Sequence, residues 1–193
     1  MQTKHLLAAT ALAVVGVTSA NATLVPIATN GAWNVFDVAP EIANDAGLGW
    51  IDISDGTALS FSFTVAAGNT GTLTVVDAGF SGDRFSVFSN SAALAVTSAA
   101  VNNYPNSTFD FDLALAATNY SRGIYALAAG NYTVTGSLFS SALDEFGAPL
   151  NSTTGALRVD VAPVAAVPLP AAALLLLNGL GVFGFAARRR AAR

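Results

Sequence analysis

Apolar and polar side chains alternate with a period of two through much of the middle of the chain. In the segment 59–65 (LSFSFTV), large apolar residues occupy the odd positions and serine or threonine the even ones. The segment 109–115 (FDFDLAL) alternates in the same way, as do shorter runs at 72–75, 85–87, 132–135 and 157–161. Because successive side chains of a strand point to opposite faces, each run predicts a half-buried antiparallel strand.

Turn-forming sequences separate these runs. They are rich in Gly, Asn, Asp and Pro, which favour turns: DG at 55–56, GNTG at 68–71, SGD at 81–83, NNYPN at 102–106 and GN at 130–131. About eight to ten short strands with this punctuation predict an all-β fold, an antiparallel two-sheet sandwich that is most simply jelly-roll-like. No convincing amphipathic helix is predicted in this region.

The two ends of the chain have a different pattern. Lys4 precedes an apolar run at 6–17, and an Ala-x-Ala sequence follows, formed by Ala20 and Ala22. This order is typical of a secretory signal peptide, and the apolar run is shorter than the ~20 residues that a spanning helix needs. We therefore expect residues 1–22 to be a signal peptide, cleaved by signal peptidase after Ala22.

The C-terminal apolar segment is longer. Residues 169–187 carry no charge and are followed by Arg188, Arg189, Arg190 and Arg193. An uncharged segment of this length predicts a transmembrane helix, and the arginines predict that its end stays cytoplasmic. The predicted organisation is a β-sandwich domain at 23–162, a linker at 163–168, the transmembrane helix at 169–187 and a basic cytoplasmic tail at 188–193.

The sequence that opens this segment is Val167, Pro168, Leu169, Pro170 and Ala171. Together with the Gly-interrupted apolar span and the terminal arginines, it resembles the bacterial PEP-CTERM sorting signal in its VPLPA form, without the Pro-Glu-Pro triplet of the commonest version. The resemblance implies an inner-membrane precursor, recognition by an exosortase, removal of the tail, and delivery to the cell surface or an extracellular polysaccharide matrix. It implies no activity for the rest of the chain. The segments 73–88 and 127–134 also resemble strand and turn segments of exported proteins with this tail.

Removing both ends changes the charge. The whole chain has a formal charge of −4, but residues 23–167 contain all twelve acidic residues and only Arg84, Arg122 and Arg158, which gives about −9. Nucleic-acid binding needs clustered Lys and Arg, so this composition argues against it. An anionic exported domain is more compatible with cation binding or with plain solubility.

The segment 23–167 also contains no His, Cys, Lys or Met. This excludes Ser-His and Cys nucleophile systems, ordinary zinc sites, Schiff-base chemistry and disulfides. We therefore expect a non-enzymatic structural or adhesive domain. Two alternatives remain: a carboxylate-dependent glycosidase, and a carbohydrate-binding module that uses exposed aromatic rings. The candidate rings are Trp33, Trp50, Tyr104, Tyr120, Tyr125 and Tyr132.

One pair of aspartates offers a possible metal site. Asp77 precedes the predicted turn at 81–83 and Asp83 is its last residue, so the two could approach each other across the turn and hold Ca²⁺, which prefers hard oxygen ligands. The spacing lacks the alternating ligand register of an EF-hand loop. The alternative is that Asp77 only begins a turn and Asp83 pairs with Arg84 or with solvent. No other cofactor is expected.

Overall fold

A computed structural model describes residues 22–39, 47–150 and 153–165. The chain divides into two compact units, residues 1–161 and 162–193, and only the first four residues of the second unit are described. The elements are β1 (Thr23–Pro26), β2 (Asn34–Val38), β3 (Leu59–Val65), β4 (Asn69–Phe80), β5 (Arg84–Ser89), β6 (Ala92–Val96), β7 (Ser107–Thr108), α1 (Phe111–Ala116), β8 (Arg122–Leu127), β9 (Gly130–Ser140) and β10 (Thr153–Pro163).

The strands form two five-stranded sheets. The order in the first sheet is β1-β3-β9-β5-β6. In the second sheet β2, β10 and β4 are neighbours, and β8 and β7 both pair with β4, at residues 71–76 and 79–80 respectively. The predicted all-β, two-sheet sandwich is thereby confirmed. The jelly-roll arrangement stays a prediction.

One strand pair departs from the predicted antiparallel arrangement. β1 and β3 pair in parallel, from Thr23 opposite Leu59 to Pro26 opposite Ser62. Between them the chain crosses to the second sheet to form β2 and then returns. A return of this kind brings the next strand back in the same direction, which a tight hairpin cannot do. The pairs β2–β10, β3–β9, β4–β7, β4–β8, β5–β6 and β5–β9 are antiparallel.

The core lies between the sheets and is centred on an aromatic cluster. Phe36 stacks on Trp50 with ring centroids 3.8 Å apart, and Phe85 meets Phe36 edge to face at 5.0 Å. A side chain at Gly136 would collide with the Trp50 indole, so this glycine leaves the space that the ring fills. Such dense packing supplies the stability that a chain without disulfides requires.

The prediction of a strand at 109–115 was wrong. Phe111–Ala116 forms helix α1, because Asp110 caps it by accepting hydrogen bonds from the amides of Asp112 at 3.1 Å and Leu113 at 3.0 Å. The helix buries Ala114 and leaves Leu113 62% exposed. Burial therefore follows the helical period, although the sequence alternates with a period of two.

The predicted signal peptide, except for Ala22, and the predicted transmembrane helix with its basic tail lie outside the described residues. Ala22 itself is exposed, directly before β1. Among the described residues, no helix is both long and apolar enough to cross a bilayer.

Candidate functional site

The two aspartates singled out by the sequence lie together in the interior. Asp77 is near the end of β4, Asp83 directly precedes β5, and the side chains of both have no solvent exposure. They are close enough for the charge of Asp83 to act on Asp77. The fold thus places the two carboxylates near each other, and calcium binding by the pair stays a prediction.

Each carboxylate has one oxygen in a hydrogen bond and one without a partner. Asp77 Oδ2 accepts from the Gly82 amide at 3.1 Å, and Asp83 Oδ1 accepts from the Ala142 amide at 2.6 Å. Asp77 Oδ1 and Asp83 Oδ2 are buried and have no hydrogen-bond partner. Buried polar atoms are normally paired, so two orphaned carboxylate oxygens at one place are unusual.

A third orphaned oxygen belongs to Thr153, the first residue of β10. Its side chain is buried, and its Oγ1 has no hydrogen-bond partner. The hydroxyl is close enough to Asp83 to lower that carboxyl's pKa, but the contact lacks the geometry of a hydrogen bond. The Thr153 hydroxyl therefore lies beside Asp83 without a hydrogen-bond partner.

Burial makes both carboxylates poor acids. Burial raises the pKa of Asp83 to about 7, although the Ala142 amide and the Thr153 and Ser141 hydroxyls oppose this rise. Burial, and after it the charge of Asp83, raises the pKa of Asp77 well above its usual value. An ionised pair here therefore requires a compensating positive charge.

No arginine of the described residues supplies that charge. The Arg84 guanidinium donates to the carbonyls of Thr97 and Ser98 and lies over the Phe139 ring, 4.8 Å from its centroid. Arg122 donates to two carbonyls at the end of α1, and Arg158 forms an ion pair with Asp112 at 2.8 Å. The alternative that Asp83 pairs with Arg84 or with solvent is therefore wrong.

Three loops enclose the pair. Gly82 has a φ of 139°, and a Cβ there would lie 2.8 Å from the Ala142 Cα and would collide with the Asn102 side chain. Asn102 in turn accepts a hydrogen bond from the Leu143 amide at 2.8 Å, and Ser81 donates to the Val101 carbonyl at 2.9 Å. The turn at 81–83 is thereby fixed against the loops that contain residues 101–102 and 141–150.

The sequence analysis did not find the residues that complete this site. Thr153 and Ala142 lie about 60 to 76 positions from the aspartates along the chain, and serine and threonine are too common here to mark a site. The segment 23–167 has no lysine or histidine that could pair with buried acids. This absence is a further sequence signal for the site, besides being evidence against catalysis.

The six candidate aromatic residues occupy different environments. Trp50 and Tyr120 are buried, which removes them as platforms for a sugar ring. Trp33 is half-buried, with the Arg158 guanidinium 4.4 Å from the ring centroid, and Tyr125 is half-buried and donates to the Ala95 carbonyl. Tyr104 is 37% exposed and packs on Phe80. Tyr132 lines a surface groove.

This groove lies between β1, β3 and β9 and has a volume of about 420 Å³. Its apolar part is formed by Phe63 and Tyr132, whose rings stack with centroids 5.3 Å apart and 22° between their planes. Its polar part includes Thr64 and Asn131, joined by a hydrogen bond of 2.8 Å, and Asn90. An aromatic ring beside amide and hydroxyl groups is a combination that suits a sugar.

A metal-binding cluster of the usual kind is not found in the described ranges. No group of three or more His, Cys, Asp or Glu side chains occurs there. The pair Asp77 and Asp83 is sealed from solvent, so it cannot act on a polysaccharide chain as a glycosidase pair must.

Comparison with known proteins identifies no family for this chain. No protein-family model matches the chain, and no curated protein sequence does. The pre-peptidase C-terminal domain of a collagenase from Bacillus anthracis is 11% identical, with a TM-score of 0.37, over 75% of this chain and 100% of that domain. A family 35 carbohydrate-binding module from an environmental isolate is 17% identical, with a TM-score of 0.34, over 64% of this chain and 75% of that one.

A third structure is the lysozyme inhibitor PliG of Aeromonas hydrophila. It is 14% identical, with a TM-score of 0.34, over 73% of this chain and 97% of that one. At such identities and TM-scores, none of the three likenesses carries an argument about what this chain binds or does. The fold stands on the two sheets described above.

Proposed function

We propose that this protein is an exported component of the cell surface or the extracellular polysaccharide matrix, sorted by an exosortase, with a structural or adhesive and non-catalytic β-sandwich. One observation carries the proposal. The first strand begins at Thr23, directly after the expected cleavage at Ala22, and the last ends at Pro163, four residues before the sorting motif begins at Val167. The strands thus lie between two predicted processing signals.

The chemistry of the interior supports a role without catalysis. The buried acidic pair has no access to a polymer, and Arg84, Arg122 and Arg158 are each bound to backbone carbonyls or to a surface aspartate. The strongly anionic domain would remain soluble after release from the membrane. A structural or adhesive component needs stability and solubility rather than a reactive centre.

The sorting claim is tested by fractionating cells with and without the exosortase. In the parent strain we expect the domain at the surface or in the matrix. In the strain without exosortase we expect an uncleaved precursor in the inner membrane. The double variant Pro168→Ala, Pro170→Ala should behave like the strain without exosortase while its circular dichroism stays that of a β protein. An inner-membrane protein with an intact tail in both strains would refute the proposal.

The groove beside Tyr132 favours a second candidate function, a carbohydrate-binding module. Its stacked ring pair and the neighbouring amides of Asn90 and Asn131 would contact one or two sugar units. We expect Tyr132→Ala to abolish retention on an exopolysaccharide column. Tyr104→Ala, which removes an exposed tyrosine elsewhere, should leave retention unchanged. Equal retention of both variants would rule out the groove as the binding site.

A further inference from the structure

Asp77 Oδ1, Asp83 Oδ2 and Thr153 Oγ1 are three buried oxygens without hydrogen-bond partners, brought together from β4, the start of β5 and the start of β10. We propose that these three oxygens form the protein part of a binding site for a single Ca²⁺ ion. The site itself requires only the folded sandwich, and its access to extracellular calcium rests on the proposed export.

The unpaired buried oxygens carry a free-energy cost of desolvation. Leaving a buried carboxylate oxygen without a partner costs its desolvation free energy with no hydrogen bond in return. Two unpaired carboxylate oxygens and one unpaired hydroxyl are explained together if one ligand contacts all of them. The hydroxyl of Thr153 makes this more than an acidic pair, because it is a neutral side chain, buried and unpaired, beside Asp83.

The negative charge of the buried carboxylate pair is not balanced by an arginine of the described residues. Two carboxylates share this interior position, and the arginines of the described residues all bind elsewhere. A divalent cation would neutralise the pair and contact the orphaned oxygens at the same time.

The chemistry of the three oxygens indicates which metal ion would bind. Carboxylate and hydroxyl oxygens are hard donors, which favour Ca²⁺ or Mg²⁺ over zinc and copper. Ca²⁺ accepts six to eight oxygens in irregular geometry, so carbonyl groups or water would complete the shell, whereas Mg²⁺ demands near-ideal octahedral geometry. An exported domain also meets calcium at concentrations that suit the weak sites of extracellular modules, with Kd of about 10⁻⁴–10⁻³ M.

A bound ion would join three segments that no disulfide connects. Asp77 and Asp83 flank the β4–β5 turn, Thr153 starts β10, and the Ala142 amide already ties the loop at 141–150 to Asp83. Ca²⁺ would therefore stabilise this end of the sandwich once the chain has left the cytoplasm. The pair lies just below the surface, because the exposed Asn102 packs on Gly82, whose amide donates to Asp77.

The test is calcium titration of the full-length chain in detergent, after removal of metals with EDTA. Thermal unfolding is followed through Trp50, which is buried and stacked on Phe36. At about 100 times the Kd we expect the melting temperature to rise by roughly 5–10 °C. Titration calorimetry should give one Ca²⁺ per chain, with a weaker response to Mg²⁺.

Variants separate this site from general effects of calcium. Asp83→Asn and Thr153→Val keep the size of the side chain, and each should reduce the calcium-induced rise in melting temperature by half or more. Glu145→Gln removes an exposed charge from the adjoining loop and should leave the rise unchanged. If Asp83→Asn does not fold, Thr153→Val and the unmodified chain still decide the question. The proposal would be overturned if 10 mM calcium gave neither a shift in melting temperature nor a heat of binding in the unmodified chain. It would also be overturned if Glu145→Gln lost as much of the calcium-induced rise as Asp83→Asn does.

Discussion

Asp77 and Asp83 are the acidic side chains that the described fold withdraws completely from water. Most other aspartates of the described residues serve turns, caps or surface pairs, such as Asp52 with Ser54 and Asp110 at the start of α1. The local pattern could place the buried pair on a turn, because an SGD sequence between two strands is a short-range signal. It could not show that the turn faces inward, because burial depends on Ala142 and Thr153, which are distant along the chain.

The buried pair predicts an unusual pH dependence in calcium-free buffer. The pKa of each carboxyl is raised above its unfolded value of 3.8, to about 7 for Asp83, so the folded state holds protons that the unfolded state has released. The free energy of unfolding should therefore fall as pH rises from about 4 through about 7, by a few kcal/mol. Tyr120, which also faces Asp77, has a raised pKa and does not titrate in this range.

Urea denaturation at closely spaced pH values measures this effect directly. Asp83→Asn should make the profile shallower between pH 4 and 7, because asparagine does not titrate, while the buried Asp77 still does. Asp55→Asn, on an exposed turn, should leave the profile as it is in the unmodified chain. A free energy of unfolding that rises with pH across this window would contradict the placement of the pair in the interior.

At the scale of elements, the alternation of apolar and polar residues predicted a strand correctly where the apolar face of that strand is buried in the core. The segment 59–65 is strand β3 with the predicted bounds, and its odd positions are buried. The segment 109–115 has the same alternation and forms a helix instead. The deciding feature is Asp110, whose side chain satisfies two amides that a strand would have paired with a neighbour. An N-cap signal therefore outweighed a period of two over a short segment.

The cap can be tested by substitution. Asp110→Ala should lower the free energy of unfolding by about 1 kcal/mol, because two amides at the start of α1 lose their acceptor. Asp110→Asn, which keeps an acceptor oxygen, should cost much less. Chemical denaturation of the two variants provides the measurement. Equal losses for alanine and asparagine would show that the side chain does not act as a cap.

At the scale of the whole molecule, the sequence predicted the class of fold but not the sheet order. Period-two segments and turn residues are local, and they were sufficient for an all-β sandwich. The parallel pairing of β1 with β3 and the pairing of both β7 and β8 with β4 depend on contacts between distant segments. The core pair of Phe36 and Trp50 is equally non-local, so Trp50 could not be separated from exposed aromatic residues in advance.

The mass of the mature protein, isolated from the host surface or matrix, tests the central claim of export and sorting most directly. Intact-mass and terminal-peptide mass spectrometry should give a chain that starts at Thr23 and ends upstream of residue 187, without the arginines Arg188, Arg189 and Arg190. A purified chain that starts at Met1, or that retains the arginine tail in the matrix fraction, would contradict the account.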